Sequence, residues 1–289
     1  MSKDTGGGSS AAYGKRKVSP FWIASIIFAI VWLVIAGSPF LFQIFTTFKT
    51  RGEFITGGVF KLPETLVLEN YIGVLEGGFY KYFLNSSIVL VVSLTLLLFI
   101  SAFASYPLAR MRFRLNRPIY GAIVATMSIP IHITLIPVFV MSLRLKLYDS
   151  IFALIGPNVA FGLPMSIFIL TAFMQGISKE MEEAAEIDGC GKFSTFFRVI
   201  FPLSKSGLAT LAIYNGVMIW NEFVFAMILT QSMASHTLPL AIWQFQGQYS
   251  IHVPMIMALL TLSSLPVILL YIFFQDKLVK GMMAGAVKG

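Results

Sequence analysis

The polar stretch that decides the fold reads Glu182-Glu183-Ala184-Ala185-Glu186-Ile187-Asp188-Gly189. It is the most polar long interruption in a chain whose other segments are mostly apolar. The two alanines favour a helix, and acidic side chains suit the first turns of a helix. Gly189 and Gly191 should end that helix, and phenylalanines then recur at helical spacing as far as Pro202. The sequence therefore predicts a short helix, a glycine turn and a second short helix, held outside the lipid.

The composition indicates a polytopic membrane protein. Of the 289 residues, 57% are hydrophobic and only 12% are charged, whereas about a quarter of the residues in a soluble protein carry a charge. A net charge of +8 would suggest a nucleic-acid partner in a soluble protein. Here the basic residues flank apolar runs, so membrane topology explains them better and we expect no nucleic acid. The single cysteine, Cys190, excludes an internal disulfide and a cysteine cluster for a metal.

The apolar runs predict the number of membrane spans. A spanning helix needs about 20 mainly apolar residues, and six stretches qualify: 21–48, 82–106, 118–143, 150–175, 207–230 and 252–275. With both termini in the cytoplasm, fifteen of the 21 lysines and arginines lie inside and six lie outside. Because cytoplasmic loops are enriched in these residues, we expect an all-α membrane protein with six transmembrane helices and both termini cytoplasmic.

These spans divide the chain into parts. They are a cytoplasmic basic tail at 1–20, a first transmembrane helix at 21–48, an external segment at 49–81, a core domain at 82–276 and a cytoplasmic C-terminal tail at 277–289. The core domain holds five transmembrane helices and a cytoplasmic loop at 178–206. The first apolar run is too long for a signal peptide, so we expect it to be retained.

The middle spans contain several helix breakers. They are Pro130, Pro137, Pro157, Gly162, Pro164 and Pro266. A proline in a membrane helix frees a backbone carbonyl that its neighbours must satisfy. Several in adjacent spans favour helices bent around a cavity over a merely crowded bundle.

Candidate substrate-pathway residues lie in the fifth predicted span. They are Asn215, Trp220, Asn221 and Glu222. Glu222 is the one acid predicted inside a span, where a charge costs at least a few kcal/mol and marks a functional candidate. Three roles are open: an acceptor for a polar substrate, a member of a proton relay, or a structural link to a partner helix. The relay ranks last because His132 is its only titratable partner within a span. Aromatic and amide side chains around Trp243 suit either a sugar or a membrane-interface belt, and the belt is favoured.

Beyond these features, the polar stretch resembles the coupling motif of ABC importer permeases. The matching residues are Glu183-Ala184-Ala185, Asp188-Gly189, Phe193, Phe196, Val199 and Pro202. Cys190 stands where alanine is usual, Phe201 where leucine is usual and Ser206 where a second proline is common. Other segments resemble carbohydrate permeases of the maltose-transporter inner-membrane type: Asn85-Ser86-Ser87, 106–113, Pro130, Ile136-Pro137, Leu163-Pro164, 220–223, Thr237-Leu238-Pro239 and the Gly-Ala-Val-Lys-Gly terminus.

This resemblance implies a type I ABC importer permease fold in a bacterial or archaeal cell membrane. It implies a second homologous permease, two ATP-binding subunits, an extracytoplasmic solute-binding protein and a di- or oligosaccharide cargo. It also implies that this chain is not an enzyme and holds no cofactor or metal, because ATP and Mg²⁺ bind the ATPase subunits.

The resemblance also assigns roles to residues of the coupling motif. Glu183 and Asp188 are expected to make polar contacts with the ATPase, and Phe193 and Phe196 to anchor the segment, which ends at Pro202. Close approach is expected at Ala184, Ala185 and Gly189. A C-terminal contact with the ATPase subunits is expected at Lys288 and Gly289.

Three alternatives stay open. The same machinery could carry another polar solute such as a glycerol phosphate, although no basic residue is predicted inside a span. An integral-membrane enzyme would need more clustered titratable groups than Glu222 offers. A secondary transporter would be expected to contain internal repeats, which are not evident.

Overall fold

The computed structural model describes residues 20–58, 61–242 and 252–286, and within these ranges the regular structure is helical. The main helices are α1 (Pro20–Thr47), α2 (Arg51–Gly57), α3 (Glu69–Glu76), α4 (Phe79–Arg110), α5 (Asn116–Thr126), α6 (Leu135–Arg144), α7 (Ile155–Gln175), α8 (Glu180–Ile187), α9 (Lys192–Thr195), α10 (Phe201–Leu203), α11 (Lys205–Trp220), α12 (Val224–Leu229) and α13 (Val253–Ala286). Short 3₁₀ helices, Ile131–Thr134 and Ile151–Leu154, precede α6 and α7, and a π-helix, Phe196–Ile200, joins α9 to α10. The all-α prediction is confirmed for this part of the chain.

Three of the helices are long and apolar enough to cross a membrane, namely α1, α4 and Ile151–Gln175. Two pairs qualify only when each pair is counted as one bent span. The pair of α5 with Ile131–Arg144 is bent by 93°, and the pair of Lys192–Leu203 with α11 is bent by 68°. The described residues thus contain three candidate spans, or five if each bent pair is counted as one. In α13, which has 34 residues, the part Val253–Leu269 forms a shorter apolar helix.

The third and fifth predicted spans are broken rather than continuous. The third is interrupted before the 3₁₀ helix, where Pro130 has an extended backbone with ψ of 131°. Proline lacks the N–H that a continuing helix needs and disfavours helix in the residue before it. The fifth is interrupted between Trp220 and Val224, where α11 ends and α12 begins. Hydropathy averaged over a whole span does not register these breaks, because a few polar residues such as Asn221 and Glu222 leave the average apolar.

Helices α4, α7 and α11 approach each other closely near Gly162. A Cβ atom on Gly162 would lie 2.1 Å from Leu97 Cδ1 of α4 and 3.1 Å from Asn215 Oδ1 of α11. Leu97 is fully buried, so the space at this crossing is already filled. The Asn215 amide also donates to Ser166 Oγ of α7 at 3.0 Å. The absence of a Cβ atom at Gly162 and the buried hydrogen bond between Asn215 and Ser166 therefore fix the spacing of the three helices.

An aspartate that was not singled out from the sequence joins two segments at the end of the bundle where α7 begins. Asp149 has a left-handed backbone with φ of 60°, a conformation that aspartate tolerates better than most residues. Its Oδ1 atom accepts the backbone N–H groups of Gln231 and Ser232, both at 2.8 Å, and the hydroxyl of Ser235. The hydrogen bond from the Ser235 hydroxyl has the largest effect on the Asp149 carboxyl and lowers its pKa below the usual value. The two backbone N–H groups lower this pKa further. One carboxylate thus joins the start of the 3₁₀ helix Ile151–Leu154 to the segment after α12.

We expect Asp149→Asn to lower the free energy of unfolding by about 2 kcal/mol, since hydrogen bonds to a charged acceptor are worth more than those to a neutral one. The apparent Tm should fall by about 4–8 °C. Because the folded-state pKa lies below the unfolded value of about 4, this stabilisation is complete above that pH and is lost progressively as the pH falls from about 4 through the folded pKa. Thermal unfolding of both proteins from pH 7 to pH 3 tests this, and Asp188→Asn on an exposed acid is the control. If the difference in Tm between the wild type and Asp149→Asn did not narrow on acidification, the stabilising role of the Asp149 carboxylate would be contradicted.

Candidate coupling site

The predicted helix–turn–helix element is present. Helix α8 ends at Ile187 and α9 begins at Lys192. Between them Gly189 has φ of 80°, in the left-handed region that favours glycine. The second part continues through the π-helix into α10, a departure from regular helix that the sequence did not indicate. An exposed ion pair between Lys192 and Glu186 bridges the two helices, and the hydrogen bond to Glu186 raises the pKa of the Lys192 ammonium.

Aromatic packing fastens this element to the bundle. Phe196 is 2% exposed, and its ring centroid lies 5.1 Å from those of both Phe103 and Tyr106 of α4. The Tyr106 hydroxyl donates to the Lys192 carbonyl at 3.3 Å. Ile200 is also fully buried, in one cluster with residues of α4, α7 and α11. Phe196 is therefore an anchor within this chain.

A largely buried ion pair makes a second attachment. The Arg110 guanidinium, at the last turn of α4, donates through Nη2 to the Ile177 carbonyl at 2.6 Å. Its Nε atom lies 3.4 Å from Glu182 Oε1 of α8, and the two side chains are 4% and 18% exposed. The structure separates Arg110, which turns inward, from the exposed arginines that follow.

The opposite face of the element is exposed. Glu183, Ala184 and Asp188 are open to solvent, whereas Ala185 is buried. Three apolar side chains share this exposure: Met181 at 47%, Ile187 at 86% and Phe193 at 71%. Pro202 is half-buried. Apolar groups exposed together beside charged ones are typical of an interaction site. Ile187 and Met181 were not singled out from the sequence, although both lie within the quoted stretch or directly beside it.

We define the coupling surface as this exposed face, comprising Met181, Glu183, Ala184, Ile187, Asp188 and Phe193. Within the described part of the chain, the Glu183 carboxylate makes no ion pair and no hydrogen bond. The surface therefore combines an unpaired acid, a small residue and apolar side chains on an element that is rigidly joined to the bundle behind it. Such a surface can bind a partner and transmit its movement.

The four candidate pathway residues have different environments. Asn215 and Trp220 are buried, and the Trp220 indole N–H donates to the Ser263 carbonyl of α13 at 3.2 Å. Both join helices within the bundle. The Glu222 carboxylate accepts the backbone N–H groups of Phe225 at 2.6 Å and Ala226 at 3.1 Å, which caps the start of α12. Asn221 is the exposed member of the set.

One face of α11 is exposed at helical spacing. Tyr214 is 42% exposed and Met218 is 56% exposed, and Asn221 follows after three more residues. Tyr214 borders a cavity that also includes Phe161 of α7 and the hydroxyl-bearing Thr134. The lining residues of this cavity carry no charged side chain. Tyr214 was not singled out from the sequence, because a lone tyrosine in an apolar run gives no indication of which way it faces.

Two sets of sequence-predicted residues lie outside the described ranges. They are the C-terminal contact residues Lys288 and Gly289, and the aromatic and amide residues around Trp243.

Known proteins resemble this chain over most of its length. The family model described as "binding-protein-dependent transport system inner membrane component" matches residues 98–284. A putative ABC transporter permease protein of Caldicellulosiruptor sp. is 53% identical over 263 residues, which cover 91% of this chain and 96% of that protein. The arabinooligosaccharides transport system permease protein AraQ of Halalkalibacterium halodurans is 31% identical over 281 residues, which cover 95% and 100%.

A solved structure has the same fold. In the crystal structure of a bacterial ABC transporter involved in the import of the acidic polysaccharide alginate, one chain matches with a TM-score of 0.77 at 22% identity, covering 89% of this chain and 95% of that one. The family model matches more than half of the chain, and the relatives match nearly all of it. The chain therefore belongs to the family of inner membrane components of binding-protein-dependent transport systems, as the ABC importer permease resemblance predicted.

Proposed function

We propose that this chain is one of two permease subunits of an ATP-driven importer for a di- or oligosaccharide. It pairs with a second homologous permease, binds ATPase subunits through the coupling surface and receives sugar from an extracytoplasmic binding protein. The observation that carries the proposal is the coupling surface itself, an exposed apolar and acidic face fastened to a membrane bundle. Relatives named for arabinooligosaccharides, diacetylchitobiose and melibiose, raffinose and stachyose support a sugar cargo. ATP and Mg²⁺ bind the ATPase subunits, and this chain holds no catalytic residue or cofactor.

The proposed topology has six spans, with α13 as the sixth and both termini in the cytoplasm. The bent pair α5–α6 serves as the third span, and α11 together with α12 serves as the fifth. The distribution of basic residues supports this orientation. It places the coupling surface in the cytoplasm, where ATP is available, and the Asp149 end on the outside.

The proposed mechanism is alternating access. ATP binding closes the two ATPase subunits and moves the coupling surface on each permease. Because Phe196 and Arg110 fasten the coupling element to α4, and Ile200 packs with residues of α4, α7 and α11, the bundle moves with it. Hydrolysis then returns the permeases to their starting arrangement. Each step requires only rigid attachment and a two-state bundle.

The exposed face of α11 is the proposed lining of the sugar pathway. Tyr214 offers an aromatic face and Asn221 an amide, which suit the apolar faces and hydroxyls of a sugar. Glu222 contributes by holding the break between α11 and α12, with Asn215 and Trp220 supporting the helix from behind. The uncharged cavity beside Tyr214 favours a neutral cargo over a phosphate ester.

We expect Asn221→Ala to raise the KM of uptake about fivefold with little change in maximal rate or Tm, because a neutral hydrogen bond is worth about 1 kcal/mol. Uptake of radiolabelled sugar at varied concentration measures this. Ser25→Ala on α1 is the control, since Ser25 is also exposed and also makes a local bond to the carbonyl four residues earlier. Equal KM values for Asn221→Ala and the wild type would remove Asn221 from the pathway.

Purification from native membranes tests the proposed assembly. The chain should be recovered with a second six-span permease and an ATP-binding subunit, identified by mass. A binding protein recovered with them can be titrated with oligosaccharides to identify the cargo. Recovery of this chain alone, stable and active in uptake, would instead support a secondary transporter.

A further inference from the structure

We propose that the loop joining α4 to α5 binds the headgroup of an anionic phospholipid. We call residues 111–117 the basic loop. Its side chains surround a concave surface: Met111, Arg112, Phe113, Arg114, Asn116 and Arg117. This site is separate from the coupling surface and from the exposed face of α11.

The basic loop carries positive charge that is not neutralised within the described part of the chain. Arg112, Arg114 and Arg117 are exposed, and none makes an ion pair or side-chain hydrogen bond there. Arg110 is excluded from the set because Glu182 and the Ile177 carbonyl already occupy its guanidinium. Three guanidinium groups around one concavity match the charge and the multiple oxygens of a phosphate diester.

Apolar side chains alternate with these arginines. Phe113 lies between Arg112 and Arg114 and is 41% exposed. Leu115 follows Arg114 and is 60% exposed. A free phosphate gives no reason for exposed apolar groups in this pattern. A lipid does, because the apolar groups can enter the acyl boundary while the guanidinium groups stay at the phosphate level.

Hydrogen bonds from Asn116 attach the basic loop to the end of α4. The Asn116 amide donates to the carbonyls of Leu108 at 3.1 Å and Met111 at 3.0 Å, which closes the end of α4. The Asn116 backbone N–H donates to the Phe113 carbonyl at 3.1 Å and forms a turn. A site fixed in this way loses less conformational entropy on binding than a flexible basic tail.

The position of the basic loop also fits a headgroup. Its residues 111–115 connect α4 to α5 and its last two residues begin α5, so it must lie where the apolar helices leave the membrane. The Arg110 contacts place it at the same end of the bundle as the coupling surface. Its assignment to the cytoplasmic leaflet rests on the proposed function, whereas lipid binding at this loop does not.

Native mass spectrometry of the purified chain, with the subunits that accompany it, tests the proposal. The protein is mixed with equal amounts of phosphatidylglycerol and phosphatidylcholine of the same acyl chains. We expect the wild type to retain phosphatidylglycerol about tenfold over phosphatidylcholine, and the triple variant R112Q/R114Q/R117Q to lose most of that preference. The control variant K81Q/R144Q/K146Q removes three exposed positive charges from the opposite end of the bundle and should keep it.

Three outcomes would overturn the proposal. The first is an unchanged lipid preference in the triple variant, or an equal loss in the control. The second is loss of the ATPase subunits from the triple variant with lipid retention intact, which would make the loop a protein-binding surface. The third is displacement of the lipid by millimolar glycerol phosphate, which would identify a site for soluble phosphate esters. Recovery of the chain without partner subunits would count against the proposed function but leave this lipid test valid.

Discussion

Glu183→Lys is expected to reduce sugar uptake at least 100-fold and to release the ATPase subunits, while the chain remains folded in the membrane. The wild-type carboxylate is exposed and makes no ion pair or hydrogen bond among the described residues, so its replacement costs little stability. At an interface, reversal of a buried charge leaves its partner unpaired and costs about 3 kcal/mol, or roughly 100-fold in affinity. The effect should therefore appear in assembly and transport but not in folding.

Three measurements on one preparation check this prediction. They are uptake in cells, the amount of ATPase subunit that co-purifies, and the Tm of the purified chain. Glu76→Lys is the control, because Glu76 is also exposed and lies at the end of α3, outside the coupling surface. It should retain the ATPase subunits. Normal uptake by Glu183→Lys would exclude the coupling role, and a large fall in Tm would show a structural role instead.

The coupling element was predictable because its determinants are local in sequence. Acids and alanines favour the first helix, and Gly189 supplies the left-handed turn that a side chain would oppose. Apolar runs also located the three helices that are long and apolar enough to cross a membrane, since this property depends on composition over about 20 residues. The π-helix at Phe196–Ile200 was not predictable, because it leaves no mark on hydrophobic spacing over so short a range.

The remaining features depend on residues that are distant in sequence. Asp149 acquires its role only when the segment after α12 folds back to it, and Arg110 only when α8 reaches the end of α4. Asn215 was assigned to the pathway from its polarity, yet it faces Ser166 inside the bundle and Tyr214 faces outward. One sequence gives the positions of polar residues in a span but does not orient the helix that carries them.

Arg110→Met is expected to lower the free energy of unfolding by about 3 kcal/mol, because breaking a buried ion pair leaves the second charge without its partner. Glu182→Gln should cost less, since Arg110 keeps its bond to the Ile177 carbonyl. The double variant should be more stable than Arg110→Met alone, because it no longer contains an unpaired carboxylate. Thermal unfolding of the four proteins gives the coupling energy between the two sites. Arg198→Met, on an exposed arginine of the π-helix, should change stability by less than about 0.5 kcal/mol.

The same variants distinguish the attachment of α8 to α4 from the contact between the coupling surface and the ATPase subunits. Arg110→Met leaves the coupling surface exposed and chemically unchanged, so the ATPase subunits should still co-purify. It removes a link between α8 and α4, so ATP hydrolysis should continue while uptake falls at least tenfold. This differs from Glu183→Lys, which should lose the ATPase subunits themselves. If both variants released the ATPase subunits equally, Arg110 would serve only to shape the coupling surface. If Arg110→Met transported normally, Phe196 and its aromatic neighbours would suffice to carry the movement from α8 into the bundle.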